Sequence, residues 1–373
     1  MIRDSLLAIE SELQARHLER RDVIHGMILA LIAKVHVVLL GPPGAGKSML
    51  ARDVCKRIGG TFFEWLLTRM STPEELFGPI SLRALEQDSY RRVTSGKLPE
   101  ADVAFLDECF KASSSILNSL LGVMNERVFH NDGQPTSIPL QIMVGASNEL
   151  PEDREELGAL WDRFLLRYVV DWIHDPAAFQ SMLNGSSTAQ RTTISIQDLA
   201  QAQAEAVQVD ITPALPMTVE LRSRTRELGV GISDRRWHEA MRIVQANAWL
   251  CGRAVAQEED LKVLTAVLWD EPNQRAQVAK TVLGLVAPFD QAADEIMDEA
   301  LDLYRDAMGA TEEESTAKGM EAKKKFKTLA RQLQEVIAQA EAAGNSGSAA
   351  KDALNRVAEF DREVTQKCLG IAV

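Results

Sequence analysis

Cysteine is scarce in this 373-residue sequence: there are four, Cys55, Cys109, Cys251 and Cys368, far apart and without a CxxC pair. That spacing excludes a disulfide framework and gives no support to metal or thiol chemistry, so the four read as reduced, small apolar side chains in a reducing compartment. Long apolar runs are missing as well. The longest, MILALIAKVHVVLL, is interrupted by Lys34 and His36 and is too short to span a bilayer, and the opening MIRDSLLAIE has no long apolar stretch. The expectation is a cytoplasmic protein with no membrane insertion, the run being a helix that leads into a first strand. Positive charge is in deficit: 41 Lys and Arg stand against 54 Asp and Glu, a formal charge of −13. With no basic stripe interleaved with aromatics, nucleic acid and anionic membrane are not the expected partners.

What is present begins with GPPGAGKS at 41–48, directly after the strand-like HVVLL. Gly41, Gly46, Lys47 and Ser48 fill the spacing G-x-x-x-x-G-K-[ST], the pattern of a loop whose backbone N–H groups wrap a triphosphate. Glycines let amides approach phosphate oxygens without a Cβ in the way, Lys47 reaches the β and γ phosphates, and the Ser48 hydroxyl ligates Mg²⁺. The stretch Gly41, Pro42, Pro43, Gly44, Ala45, Gly46, Lys47, Ser48 and Met49 is therefore the expected ATP-binding segment. MLARDVCKRI after it has helical spacing, which points a helix N-terminus at the anion. VAFLDE at 103–108 supplies two carboxylates at a strand end, Asp107 to hold a water of the Mg²⁺ shell and Glu108 to polarise the attacking water. QIMVGASN ends a further strand in Asn148, whose amide can bond the γ-phosphate or position the water.

The first part of the chain alternates strand-like and helix-like segments, with VHVVLL, TFFEWLL (61–67), DVAFLDE, QIMVGASN and LRYVVDW as the strands of a parallel α/β sheet. From about residue 175 the strand signals fade into a helical domain, punctuated by NGSSTAQRTT and TPALP. After Pro288 the pattern predicts long helices near 289–308, 313–342 and 348–370. Phe326, Leu329, Leu333, Val336 and Ala340, and then Leu354, Val357, Val364 and Cys368, repeat at three-four spacing on either side of GNSGS, which reads as an antiparallel helical hairpin. The predicted domains are 1–175, 176–285 and 286–373.

In this order GPPGAGKS, FLDE, GASN, LWDRFLLR (160–167) and GISDRRW (231–237) resemble AAA+ ATPases, and more closely their MoxR branch, over roughly the first 285 residues. Within it, LERRDVIHGMILALIAKVHVVLLGPPG, SDRRW and the long C-terminal helices are similar to the RavA subfamily, without the compact domain that the longest RavA-like proteins insert where GNSGSAA stands here. The resemblance implies a P-loop α/β core, a helical lid and a homo-oligomeric ring, usually of six subunits. It implies that Asn148 is sensor 1, that Arg163 is an arginine finger offered to the neighbouring subunit, and that Arg235, or its neighbour Arg236, is the lid's sensor 2 acting within its own subunit. Val23 and Ile24 are assigned to the adenine pocket in the same way. A partner bearing a von Willebrand A domain and a remodelled protein target follow from the resemblance alone. Without it, Arg163 and Arg167 would be surface cations paired with the acidic run PEDREE.

Residues 73–98 and 127–139 depart from a minimal ATPase core, the second containing NDGQ, which suits a hairpin turn; in the resembled clade both project toward the ring's pore. Three functions compete: a ring-forming, Mg-ATP-hydrolysing remodeller of protein complexes; a nucleic-acid motor, against which the charge speaks; and a nucleotide-gated scaffold with little turnover, against which Glu108 speaks. The tract KGMEAKKKFK at 318–327 is expected on an exposed face, either simply solvated or docking an acidic partner.

Overall fold

The computed structural model describes residues 1–150, 154–185, 191–310, 312–342 and 347–369, which fall into two compact units, Met1–Arg275 and Ala276–Val373. In the first unit, helices α1 (Ile2–Arg16) and α2 (Arg21–Ala33) lead into strand β1 (His36–Leu40), which is followed by α3 (Lys47–Arg57) and β2 (Phe62–Leu66). The short helices α4 (Pro73–Phe77) and α5 (Leu82–Leu85) precede β3 (Val103–Asp107), α6 (Ser114–Glu126) and a ribbon of β4 (Val128–Asn131) and β5 (Gln134–Ser137). Then come β6 (Ile142–Ser147), α7 (Arg154–Arg163), β7 (Phe164–Val169) and the helices α8 (Pro176–Asn184), α9 (Ile196–Ala206), α10 (Leu215–Glu227) and α11 (Asp234–Leu250).

The five long strands form one parallel sheet in the order β2-β3-β6-β1-β7. Every residue of β1 and β6 is buried, and β3 is buried as far as Leu106. Uninterrupted apolar runs are what a strand covered on both faces requires, because neither side of the pleat meets water. The histidine that opens β1 is accommodated inside. His36 is buried, accepts at Nδ1 from Met143 N (2.9 Å) and donates from Nε2 to Met124 O (3.0 Å). Burial, with Arg127 nearby, pushes it down to about 3, so it stays neutral.

Parallel pairing has a direct consequence for function. The carboxyl ends of three adjacent strands, β3, β6 and β1, lie side by side, and the chain leaves them as Asp107-Glu108, Asn148 and Gly41. The NDGQ turn closes the β4–β5 ribbon with Asp132 and Gly133 both at positive φ (56° and 69°), as a two-residue hairpin of matching twist needs. Asp132 also accepts from Ser89 Oγ and Tyr90 N, and Asn131 Oδ1 from Arg92 N, each at 2.7 Å, so the ribbon holds the segment after α5.

A buried polar chain ties α1, α2 and α11 together. His25 donates from Nδ1 to Glu10 Oε1 (2.9 Å) and from Nε2 to Asn247 Oδ1 (3.1 Å), and Asn247 donates in turn to Asp260 Oδ1 (2.7 Å), which also pairs with Arg253. Both ring nitrogens of His25 face acceptors, which suits the imidazolium. Burial opposes that charge, but the bond and charge of Glu10, then Asn247 and the field of Asp22, outweigh it and hold the pKa above its ordinary value. A raised folded-state pKa adds stability that is complete below the unfolded value of about 6.5 and is lost as pH rises through the folded one. The melting-temperature gap between wild type and His25→Gln should therefore be widest in mild acid and narrow toward alkaline pH. A gap that stays constant would remove the imidazolium from this account.

The second unit begins within α12 (Arg275–Val286) and continues as three long helices, α13 (Pro288–Met308), α14 (Glu312–Ala342) and α15 (Ser348–Leu369). The expected hairpin of α14 and α15 is present and α13 completes it as a three-helix core. Phe326, Leu329, Leu333, Val357 and Val364 are buried there, and Tyr304 stacks on Phe360 with ring centroids 4.3 Å apart. The first three residues of GNSGS and residues 186–190 of the polar loop lie outside the described residues. Lys323, Lys324, Lys325 and Lys327 are exposed, with Lys325 paired to Glu321 (2.8 Å) and Lys323 donating to Thr365 (2.8 Å).

Candidate functional site

The phosphate loop leaves β1 as a tightly held turn. Gly41 N donates to Ser147 O (3.0 Å) and Val170 N to Leu40 O (2.7 Å), which pins the loop between β6 and β7. A Cβ at Gly41 would meet Val170 O at 1.8 Å, so only glycine fits that approach. Farther along, Gly44 and Gly46 sit at φ of 79° and 81°, and a Cβ built on Gly44 would meet nothing within 4 Å. The loop thus presents backbone on an open side and runs straight into α3, whose first residue is Lys47. This is a cradle for an anion, with helix N–H groups and a lysine converging on it.

Lys47 is buried, and its Nζ donates to Gly41 O, to Pro42 O (3.2 Å) and to Asn148 Oδ1 (3.2 Å). Burial lowers its pKa, while the charges of Asp107 and Glu108 act the other way. Asn148 in turn donates from Nδ2 to Glu108 Oε1 (2.6 Å), so three residues more than a hundred positions apart at their extremes form one hydrogen-bonded chain. Asp107 Oδ1 accepts from Glu108 N (3.0 Å), and its pKa is raised chiefly by burial. Glu108 Oε2 pairs with Lys111 (3.1 Å). Glu108 also occupies the left-handed region (φ 51°, ψ 43°), a conformation disfavoured for a residue with a Cβ and held here by the structure around it.

The residues fit the groups expected of them. Ser48 and Asp107 are hard oxygen donors suited to Mg²⁺, and among the described residues no group of three or more His, Cys, Asp or Glu is placed to hold a metal. A divalent ion at this site would depend on phosphate oxygens and water for the rest of its shell, as Mg²⁺ commonly does.

A cavity of about 300 Å³ opens beside the loop, lined by Gly44 to Lys47, by Arg16 to Leu18, and by Val170, Trp172, Phe179 and Met182. Trp172 donates from Nε1 to Pro43 O (3.3 Å). Val23 and Ile24, assigned to the adenine pocket from sequence, do not line this cavity. Ile24 is fully buried in α2, a helix buried along nearly its whole length between neighbouring helices and the sheet, and Val23 borders a different cleft beside Tyr168 and Arg275. The wall comes instead from the turn between α1 and α2 and from the chain after β7. The exposed apolar residues Trp172, Phe179 and Met182 were the available sequence signal.

Arg163 is not brought to the phosphate loop of its own chain. It ends α7 just before Phe164, which pairs with His36 at the amino end of β1, whereas the loop follows Leu40 at the other end. Its Nη1 donates to Ala159 O (3.1 Å), and its Nε is buried with no partner among the described residues. Arg235 is likewise not at its own phosphate loop, contrary to the expectation of a lid residue acting in its own subunit. Its Nη2 donates to Asp162 Oδ2 (3.0 Å) and Asp162 O (3.1 Å), which sets it beside Arg163 at the amino end of the sheet. Arg236 is buried and donates to Leu165 O (3.2 Å), a structural role.

Arg167 is a further correction. It is not a surface cation but is 1% exposed, lies over the Trp161 ring (4.0 Å to the centroid), and donates to Trp269 O (2.7 Å) and Asp270 Oδ1 (2.9 Å). The side chains of PEDREE, its expected partners, lie outside the described residues.

Comparison with known proteins agrees with this architecture. Residues 4–209 match the MoxR domain of the MoxR-vWA-beta-propeller ternary systems, and residues 214–282 match the AAA lid domain. A protein of Methanocaldococcus jannaschii is 39% identical over 301 residues, 80% of this chain and 78% of that one. The chaperone MoxR1 of Mycobacterium tuberculosis is 27% identical over 155 residues, 40% of each chain. In fold, the chain is similar to a crystal structure from Cytophaga hutchinsonii described as that of a candidate ATPase, with a TM-score of 0.61 at 17% identity, covering 76% of this chain and 95% of that one. With a phosphate loop, paired strand-end carboxylates and a strand-end asparagine gathered on one parallel sheet, and with a family match over more than half its length, this chain belongs to the MoxR-type AAA+ ATPases.

Proposed function

We propose that this chain hydrolyses ATP with Mg²⁺ as a subunit of a homo-oligomeric ring, six-membered by family habit, and uses the cycle to remodel or activate a protein complex. The observation that carries the reading is the chain Lys47–Asn148–Glu108 at the ends of three neighbouring strands. Lys47 balances phosphate charge, and Ser48 and Asp107 would hold the ion. Mg²⁺, when bound, supplies charge neutralisation on the phosphates. The Glu108 carboxylate accepts the proton of the attacking water, and the Asn148 amide fixes that carboxylate's orientation.

Arg163 and Arg235, both held at the amino end of the sheet around Asp162, are proposed to serve the nucleotide of the neighbouring subunit together. A partner with a von Willebrand A domain is supported by the ternary systems for which the matching family is described. A division into core (1–175), lid (176–285) and C-terminal bundle (286–373), a cytoplasmic location and a closer kinship to RavA proteins belong to the same reading; the kinship rests on LERRDVIHGMILALIAKVHVVLLGPPG, SDRRW and the long C-terminal helices. Among the described residues no helix is long and apolar enough to cross a membrane.

Calorimetric titration tests the site. Lys47→Ala should lose measurable ATP affinity, since it removes the ammonium from the cradle. An affinity equal to that of the wild type would overturn the phosphate-loop assignment.

A further inference from the structure

The cavity beside the phosphate loop is walled mainly by apolar side chains, and one polar ring stands among them. His17 lines it and is only 6% exposed. Its Nε2 lies 3.1 Å from Asp53 Oδ2, and Arg16 Nε lies 3.0 Å from the same oxygen. With a guanidinium beside it, Asp53 is a carboxylate and can only accept, so the proton of the His17 ring sits on Nε2. Burial lowers the pKa of His17 more than Asp53 raises it, and Arg16 and Arg20 lower it further, so the ring is neutral. A neutral ring protonated at Nε2 has a bare lone pair at Nδ1. Among the described residues no hydrogen bond reaches that atom, and it is not sealed off as a buried unsatisfied group. The tautomer is thus dictated by Asp53, and what the ring can offer the cavity is an acceptor.

Purines differ in what they ask of such a group. Adenine carries an amine donor at position 6, where guanine carries a carbonyl acceptor. The cations that also line the cavity already have acceptors, Arg16 on Asp53, Arg20 on the carbonyls of Glu19 and Asp171, and Lys47 on Gly41, Pro42 and Asn148. An acceptor held by Asp53 in this mainly apolar pocket therefore welcomes the first and opposes the second, because a buried acceptor facing another acceptor leaves both unpaired. We propose that His17 is a specificity residue of the nucleotide site, its Nδ1 accepting from the exocyclic amine of adenine. The proposal rests on the nucleotide-binding reading above and adds base selection to it. Phe179 and Met182 of α8, a helix with no buried side chain, then supply apolar cover for the ring faces.

The test uses the full-length chain and three ligands in calorimetric titrations: ADP, GDP and purine riboside 5′-diphosphate, which lacks the amine. The wild type should bind ADP roughly tenfold or more tightly than either of the others. His17→Phe, which preserves an aromatic ring and leaves Asp53 paired with Arg16, should bring ADP and the purine riboside analogue to within about twofold of each other. A structural role would weaken all three ligands alike and keep the ratio. A second readout needs no variant: the ¹⁵N resonance of His17 Nδ1 in the wild type should shift on binding ADP and stay in place with the purine riboside analogue. Equal wild-type affinities for ADP and that analogue, a ratio that survives in His17→Phe, or an unmoved resonance would each overturn the proposal. Absence of any nucleotide binding by the wild type would instead overturn the nucleotide reading of the site.

Discussion

Arg163→Ala should reduce ATP turnover by about 10³–10⁵-fold, the range an arginine finger contributes, while leaving ATP affinity close to that of the wild type. The structure separates these effects. Arg163 stands one strand length from its own phosphate loop, so it cannot contribute to binding there. Its only hydrogen bond among the described residues goes to Ala159 O in its own helix, and its Nε has none, so its removal leaves little structural debt. In a ring, a finger acts on the nucleotide of the neighbour. Mixing inactive Arg163→Ala with inactive Lys47→Ala subunits should therefore restore measurable ATPase activity, because some boundaries will pair an intact finger with an intact loop. Arg235→Ala should complement Lys47→Ala in the same way, since Asp162 holds Arg235 at the same end of the sheet. No recovery in assemblies shown to contain both subunit types would move these arginines to structural or same-subunit roles.

Glu108→Gln should bind ATP with near wild-type affinity and hydrolyse it about 10²–10⁴-fold more slowly, the usual contribution of a positioned base. Glutamine keeps a side-chain oxygen for the Asn148 amide, now 2.6 Å from Glu108 Oε1, and it retains the length of the side chain. It cannot take a proton. Affinity and turnover falling together would show that Glu108 supports the loop rather than the chemistry. Because this variant should dwell in the ATP-bound state, material isolated with it is also the most direct source of the proposed partner and target.

Much of the fold is legible from the sequence, and for a local reason. HVVLL, VAFLD and IMVGAS are apolar at nearly every position, which only a strand covered on both faces demands, and the buried β1, β3 and β6 are those strands. The NDGQ turn and the three C-terminal helices declare themselves by positive-φ residues and by three-four spacing, again within a few turns of chain. The phosphate loop is legible because its chemistry is continuous in sequence: the glycines, Lys47 and Ser48 that meet one ligand are neighbours along the backbone.

The rest depends on partners far away along the chain. Arg167 reads as a surface cation until Asp270, Trp161 and Trp269 close over it. Arg235 reads as a residue of its own subunit's nucleotide site until Asp162 draws it to the opposite end of the sheet. Val23 and Ile24 are plausible pocket residues on an apolar helix, and only their places in the fold, one sealed and the other on a different cleft, set them apart from the cavity beside the loop. His17 carries no motif at all, and Asp53, thirty-six positions later, decides which of its nitrogens bears the proton. The sequence alone determined the sheet, the loop and the carboxylate pair, because those follow from burial and backbone geometry over short spans. The tertiary structure alone decided which arginines are buried, which face the far end of the sheet and which side chains surround the cavity, because a charge or a lone pair takes its role from the group that meets it in space.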